Sequence, residues 1–167
     1  MHILARSGYA SERCHAAIRR TGARTGPRAD WDTSAWIVAP RDAAARRLLA
    51  DLAPRYLAAT TEPVMFELLT TARDSREMRD RRLQLAALDV MSVDARDWER
   101  AFDVYELLAA RGPLHHRQVA RTDLLVAAVA ERNRVPVLHY DHDFDLIAEV
   151  TGQPVRWIAP RGSLTTS

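Results

Sequence analysis

The chain has 167 residues, of which 47% are hydrophobic and 28% charged, and its formal net charge is +2. This length suits one ordinary domain with a real core. No apolar run approaches the roughly 18 residues of a membrane span. No apolar segment follows the basic N-terminus, which argues against a secretory signal. The single cysteine, Cys14, can neither close an internal disulfide nor complete a metal-knuckle spacing. We therefore expect a cytoplasmic globular protein with no membrane partner.

The positive charge is concentrated in residues 1–28. Six arginines stand there against Glu12, a net of +5, so residues 29–167 sum to −3. Arginine suits phosphate and base contacts, but a domain body that is not basic argues against a simple phosphate-binding module. We expect residues 1–28 to form a basic arm, either disordered or partner-binding, in which Ser11 could cap a short helix over 11–20.

From residue 28 onward the pattern predicts short strands that alternate with helices. Arg28–Trp31 takes a strand position but makes a poor strand. The elements expected after it are a helix over 42–52, a strand over 56–60, helices over 64–73 and 75–88, a strand over 89–93, helices over 95–111 and 121–133, a strand over 135–139, an acidic turn over 140–145 and a strand over 155–159. Such alternation predicts an α/β fold with helices on both faces of a central, mostly parallel sheet.

Several acids fall where such a fold binds ligands, outside the carboxyl ends of its strands. Asp32 directly follows the first strand, and Asp141 and Asp143 follow the strand over 135–139. Asp123 lies in the first turn of a helix that is apolar on almost every side, which predicts burial. The helix dipole alone would favour an acid there by about 0.3–1 kcal/mol, so an isolated Asp123 could be purely structural.

Glu67 lies inside the apolar stretch 63–69. A charge there is costly to bury unless it is paired or binds a cation; a solvent-facing position or an ion pair with Arg73 would explain it equally well. Converging carboxylates repel by about 4 kcal/mol per pair at 4 Å and an effective dielectric near 20. Mg²⁺ or Mn²⁺ removes that cost, because both ions prefer carboxylate oxygens.

Four sequence blocks together resemble the signature blocks of PIN domains, most closely those of VapC-type toxins of bacterial toxin–antitoxin pairs. They are Asp32-Thr33-Ser34-Ala35-Trp36, Glu62–Leu69, Thr122–Ala128 and Val137–Asp145. The resemblance covers about residues 29–160, with the blocks in order and at suitable spacing. The first block departs from the family pattern, because members usually carry an apolar run before it.

The resemblance implies a PIN-like nuclease domain over 29–160, with a three-layer α/β/α fold and a short tail over 161–167. It further implies cleavage of single-stranded RNA that depends on Mg²⁺ or Mn²⁺, a homodimer, and a small antitoxin partner. By position, the acids implied as catalytic metal ligands are Asp32, Glu67, Asp123 and Asp141, with Asp143 next for the fourth place. The Ser34 hydroxyl falls where it would support the first acid.

Two other functions fit parts of the same sequence. Asp30-Trp31-Asp32-Thr33-Ser34 resembles the opening of haloacid-dehalogenase-type phosphatases, in which Asp30 would be the nucleophile. A catalytically weak PIN-like module could instead hold RNA or a protein without cutting it. Arg117 and Arg121 flank Asp123 and could contact RNA phosphates, although ordinary salt bridges would explain them as well.

Overall fold

The computed structural model describes residues 28–38, 42–43, 45–47, 57–86, 88–112 and 114–163. The residues before 28, with the helix expected at Ser11, and most of the helix expected over 42–52 lie outside the described residues. No helix among those described is long and apolar enough to cross a bilayer.

The strands form one parallel sheet in the order β3-β2-β1-β4-β5. Their bounds are β1 Arg28–Trp31, β2 Leu57–Thr60, β3 Asp89–Val90, β4 Val137–His139 and β5 Val155–Trp157. The chain builds outward from β1 on one side and returns to build β4 and β5 on the other. Such a sheet opens a crevice between the carboxyl ends of β1 and β4, where the direction of building reverses. The expected α/β fold with a parallel sheet is confirmed.

Helices flank the sheet. They are α1 Thr33–Val38, α2 Glu62–Thr70, α3 Ser75–Leu85, α4 Ala95–Ala110, α5 His115–Gln118, α6 Arg121–Asn133 and α7 Asp143–Thr151. Residues 43 and 45–47 are helical as well. Asp94 caps α4 through a capping box, which agrees with the expected start. Helix α6 is buried from Asp123 to Ala130, as its apolar sequence predicts.

The poor strand expected at Arg28–Trp31 is in fact the centre of the sheet. Asp30 N–H donates to the Pro136 carbonyl at 2.9 Å, and Asp32 N–H donates to the Leu138 carbonyl at 3.0 Å. Together with the parallel pairing to β2 on the other side, these bonds override the weak local preference of this segment. Arg28, counted with the basic arm, belongs to this strand and forms an ion pair with Asp89 at 3.1 Å.

The acidic turn expected over 140–145 is also partly wrong, because α7 begins within it at Asp143. Asp143 and Asp145 lie in the first turn of α7, where the helix dipole favours acids. Phe144 and Ile147 are buried, and this spacing of three residues is helical. The acids of this segment are therefore read as a turn in the sequence, although they form the first turn of an amphipathic helix.

Candidate metal centre

The acids singled out in the sequence sit on separate elements at one edge of the sheet. Asp32 follows β1, Asp141 follows β4, and Glu67 projects from α2, which follows β2. Asp123 lies in the first turn of α6, and Asp143 opens α7. The carboxyl ends of the parallel strands therefore bring together segments more than a hundred residues apart in the chain.

Asp123 lies near the other acids of the site. One carboxylate oxygen each from Asp123, Asp141 and Asp143 lies within 4.8 Å of the others. Burial, and then the nearby charges of the other four acids with Asp32 first among them, together raise the pKa of Asp123 to about 8. By distance, Asp123, Asp141 and Asp143 could share one ion, while Asp32 and Glu67 act on Asp123 through their charges.

Asp32 is held by the residue two places along the chain. The Ser34 N–H and hydroxyl donate to Asp32 Oδ2 at 2.8 and 2.6 Å. Burial raises the pKa of Asp32, and these hydrogen bonds oppose the rise. The Ser34 hydroxyl oxygen also accepts the Tyr140 N–H at 2.8 Å. Ser34 therefore lies beside the first acid, where the sequence resemblance puts it, and it also ties α1 to the turn after β4.

Glu67 has a hydrogen-bond donor that the sequence did not predict. The Thr33 hydroxyl donates to Glu67 Oε2 at 2.6 Å. Thr33 stands inside the Asp-Thr-Ser block, but only the fold shows that its side chain turns toward α2. The alternative pairing of Glu67 with Arg73 is wrong, because Arg73 pairs with Glu77 at 2.9 Å.

Asp141 and Asp143 form a small unit of their own. The Asp143 N–H donates to Asp141 Oδ1 at 3.0 Å, and Asp143 Oδ2 accepts the Ala120 N–H at 2.8 Å. Asp143 thereby fixes the start of α6, and with it Asp123, against the start of α7. Burial raises the pKa of Asp143. Asp141 is exposed, whereas Asp143 is half-buried, so both acids face the centre from its rim.

This donor set fits a divalent cation. No arginine or histidine forms an ion pair with any of the five acids in the part of the chain that the structure describes. Buried carboxylates without a counter-charge are costly. Oxygen donors of this number and kind are those that Mg²⁺ and Mn²⁺ prefer, so a cation of this class would offset the mutual repulsion.

Comparison with known proteins places this arrangement in a family. The PIN domain family model matches residues 31–150. The chain belongs to the PIN domain family. Its sequence is 40% identical over 133 residues to Ribonuclease VapC18 of Mycobacterium tuberculosis, covering 80% of this chain and 96% of that relative. It is also 40% identical over 121 residues to Ribonuclease VapC51 of the same organism, covering 72% and 86%.

A solved structure shares the PIN fold. DNA-bound VapBC from Salmonella typhimurium superposes with a TM-score of 0.61 at 17% identity, covering 80% of this PIN chain and 99% of that one. Similarity at this level of identity bears on the fold alone, and it agrees with the parallel sheet and flanking helices described above.

Two further predicted residues of this PIN domain lie close to Asp123 in the sequence. Arg117 in α5 and Arg121 at the start of α6 are exposed, two to six residues from Asp123. Neither forms an ion pair with the five acids in the described part of the chain.

Asp30 is not among the acids that act on Asp123. It is 0% exposed, and neither of its carboxylate oxygens has a hydrogen-bond partner among the described residues. A phosphatase nucleophile must reach its substrate, and this carboxyl group cannot. The haloacid-dehalogenase alternative therefore loses the residue on which it depends.

Proposed function

We propose that this PIN domain is an endoribonuclease that cuts single-stranded RNA in the presence of Mg²⁺ or Mn²⁺, and that it is the toxin of a toxin–antitoxin pair. The observation that carries the proposal is the convergence of five acids from five separate segments, none of them in an ion pair with a basic side chain among the described residues. The names of VapC18 and VapC51, both ribonucleases, support the same activity.

The acids that would hold the cation are Asp32, Glu67, Asp123, Asp141 and Asp143. A divalent cation bound there would activate a water for attack on the phosphodiester and stabilise the negative charge that builds on the phosphate. Asp123, whose pKa is raised to about 8 by burial and the neighbouring acids, would have to lose its proton to act as a ligand. Ser34 keeps the Asp32 carboxylate in place, and Arg117 and Arg121 would bind flanking phosphates. No side chain needs to form a covalent bond to RNA.

The proposed partners are a second copy of the chain and a small antitoxin, and the basis is the set of exposed apolar side chains. Large apolar side chains stay exposed, among them Phe66 at 75%, Leu83 at 72% and Phe102 at 57%. Exposed side chains of this size are common at protein interfaces, which agrees with a homodimer and a small antitoxin. Light scattering of the purified chain, alone and after co-expression with a candidate antitoxin, measures both associations.

The activity is tested by incubating single-stranded RNA with the wild type, with Asp32→Asn and with Asp123→Asn. Wild type is expected to cut RNA in Mn²⁺ and to stop in EDTA, while both variants stay folded and inactive. Glu106→Gln, which removes an exposed acid from α4, serves as the matched control and should cut normally. Retained cleavage in both site variants, or cleavage unaffected by EDTA, contradicts the proposal.

A non-catalytic binding module is the second candidate, because the exposed Arg117 and Arg121 could hold RNA without a reaction. It would shift RNA in a gel in every divalent metal and leave it intact. The same incubation therefore separates the two functions.

A further inference from the structure

Thr33 connects the first two acids of the centre. Its hydroxyl donates to Glu67 Oε2 at 2.6 Å, and it directly follows Asp32 in the chain. A hydroxyl-to-carboxylate bond of this length is charge-assisted and about twice as strong as a neutral one. Because the Thr33 side chain is almost fully enclosed, at 9% exposure, water cannot readily compete for the bond.

Glu67 needs such a bond to face the centre. Its long side chain can lose up to about 2 kcal/mol of rotamer freedom when it is fixed, and it feels the like charge of Asp32. Both effects favour a carboxylate that swings toward water. Thr33 Oγ1 is the one hydrogen-bond donor to this carboxylate within the described ranges, and it leaves Oε1 open to a ligand.

We propose that Thr33 is a positioning residue, whose hydroxyl holds Glu67 beside Asp32 and so sets the affinity of the centre for a divalent cation. The inference rests on the proposed function. In the proposed function, Thr33 contacts neither the cation nor the RNA. Its effect passes through Glu67, and it depends on the hydroxyl rather than on the methyl group.

Two substitutions separate these parts of the side chain. Thr33→Val keeps the shape and removes the donor, whereas Thr33→Ser keeps the donor and removes the methyl group. Thr151→Val is the matched control, because Thr151 donates to the Ile147 carbonyl at 2.8 Å at the far end of α7. With a rise of 1.5 Å per residue, that end lies about 12 Å along the helix from Asp143.

The experiment measures Mn²⁺ affinity by calorimetry without RNA, together with the thermal midpoint of the metal-free protein and RNA cleavage. Loss of a partner that orients a metal ligand typically costs about 10–100-fold, so Thr33→Val should weaken Mn²⁺ binding by that factor. Thr33→Ser should restore binding to within about threefold of wild type, and Thr151→Val should leave it unchanged.

The outcomes are distinct. Mn²⁺ affinity of Thr33→Val equal to wild type overturns the positioning role, while an active wild type keeps the proposed function standing. Equal loss in Thr33→Val and Thr33→Ser also overturns it, since keeping the hydroxyl in Thr33→Ser would then fail to preserve Mn²⁺ binding. Failure of the wild type both to bind Mn²⁺ and to cut RNA overturns the proposed function, and the positioning role with it.

Discussion

Replacement of Asp30 by valine should stabilise this protein. Asp30 lies in the middle of β1 between Ala59 of β2 and Val137 of β4, both of them 0% exposed. Neither Asp30 oxygen has a hydrogen-bond partner in the described structure. A buried polar group left unpaired costs about 1–3 kcal/mol in mutational data, and valine is a favourable strand residue.

The gain should depend on pH. Burial, and then the charge of Asp32, raise the pKa of Asp30 well above its usual value, so the folded protein keeps the proton that the unfolded chain releases above about pH 4. The contribution of Asp30 to the free energy of unfolding is therefore most favourable below that pH. It falls as the pH rises toward the raised pKa of the folded state. Asp30→Val removes this loss, and Asp30→Asn removes only its pH-dependent part.

The assay is thermal and urea unfolding of wild type, Asp30→Val and Asp30→Asn between pH 4 and pH 8. A gain of about 1–3 kcal/mol at pH 7 corresponds to a midpoint about 3–10 °C higher in a chain of this size. The advantage of Asp30→Val over wild type should shrink toward pH 4. A variant less stable than wild type at pH 7 would refute the reasoning, since Asp30 would then have a stabilising partner. Asp30→Val should still cut RNA; loss of cleavage in a folded variant would show that Asp30 contributes to the centre.

Three other predictions follow from contacts in the same structure. Asp97→Asn should lower the free energy of unfolding by about 2–3 kcal/mol, because Asp97, at 2% exposure, accepts hydrogen bonds from Arg132 at 2.8 and 2.9 Å. Urea unfolding measures this loss, and Arg73→Ala, at an exposed ion pair, is the control expected to cost less than about 1 kcal/mol. Ser34→Ala should weaken Mn²⁺ binding about 10–100-fold and lower the thermal midpoint, because the Tyr140 N–H loses an acceptor; an unchanged calorimetric affinity would contradict this. Mn²⁺ binding at pH 7 should release a proton, because the pKa of Asp123 is about 8; calorimetry in two buffers of different ionisation enthalpy counts it, and no release would show that Asp123 is not a ligand or is already ionised.

Much of the centre could be predicted from local sequence. Asp32 and Asp141 follow strands, and parallel strands share one functional edge, so their convergence needs little beyond element order. Asp123 could be placed because the apolar helix behind it had to be buried. These inferences work where one physical rule, the location of strand ends or the burial of an apolar helix, decides the position.

The remainder depends on contacts between distant segments. β1 has a buried acid at its middle and a weak strand sequence, so only its pairing with β2 and β4 reveals it. The bond from Thr33 to Glu67 joins residues 34 positions apart, and the bond from Ala120 to Asp143 spans 23. No periodicity or spacing encodes either contact. The start of α7 was missed because its first-turn acids also suit a turn.

The central claim, that five acids from separate elements form one divalent-metal centre, is tested most directly by anomalous diffraction from crystals grown with Mn²⁺. The account predicts an anomalous peak about 2.1 Å from carboxylate oxygens, with Asp123 and at least one of Asp32 and Asp141 among the ligands. A map with Mn²⁺ bound elsewhere, or with these carboxylates turned away from one another and no peak between them, would contradict it.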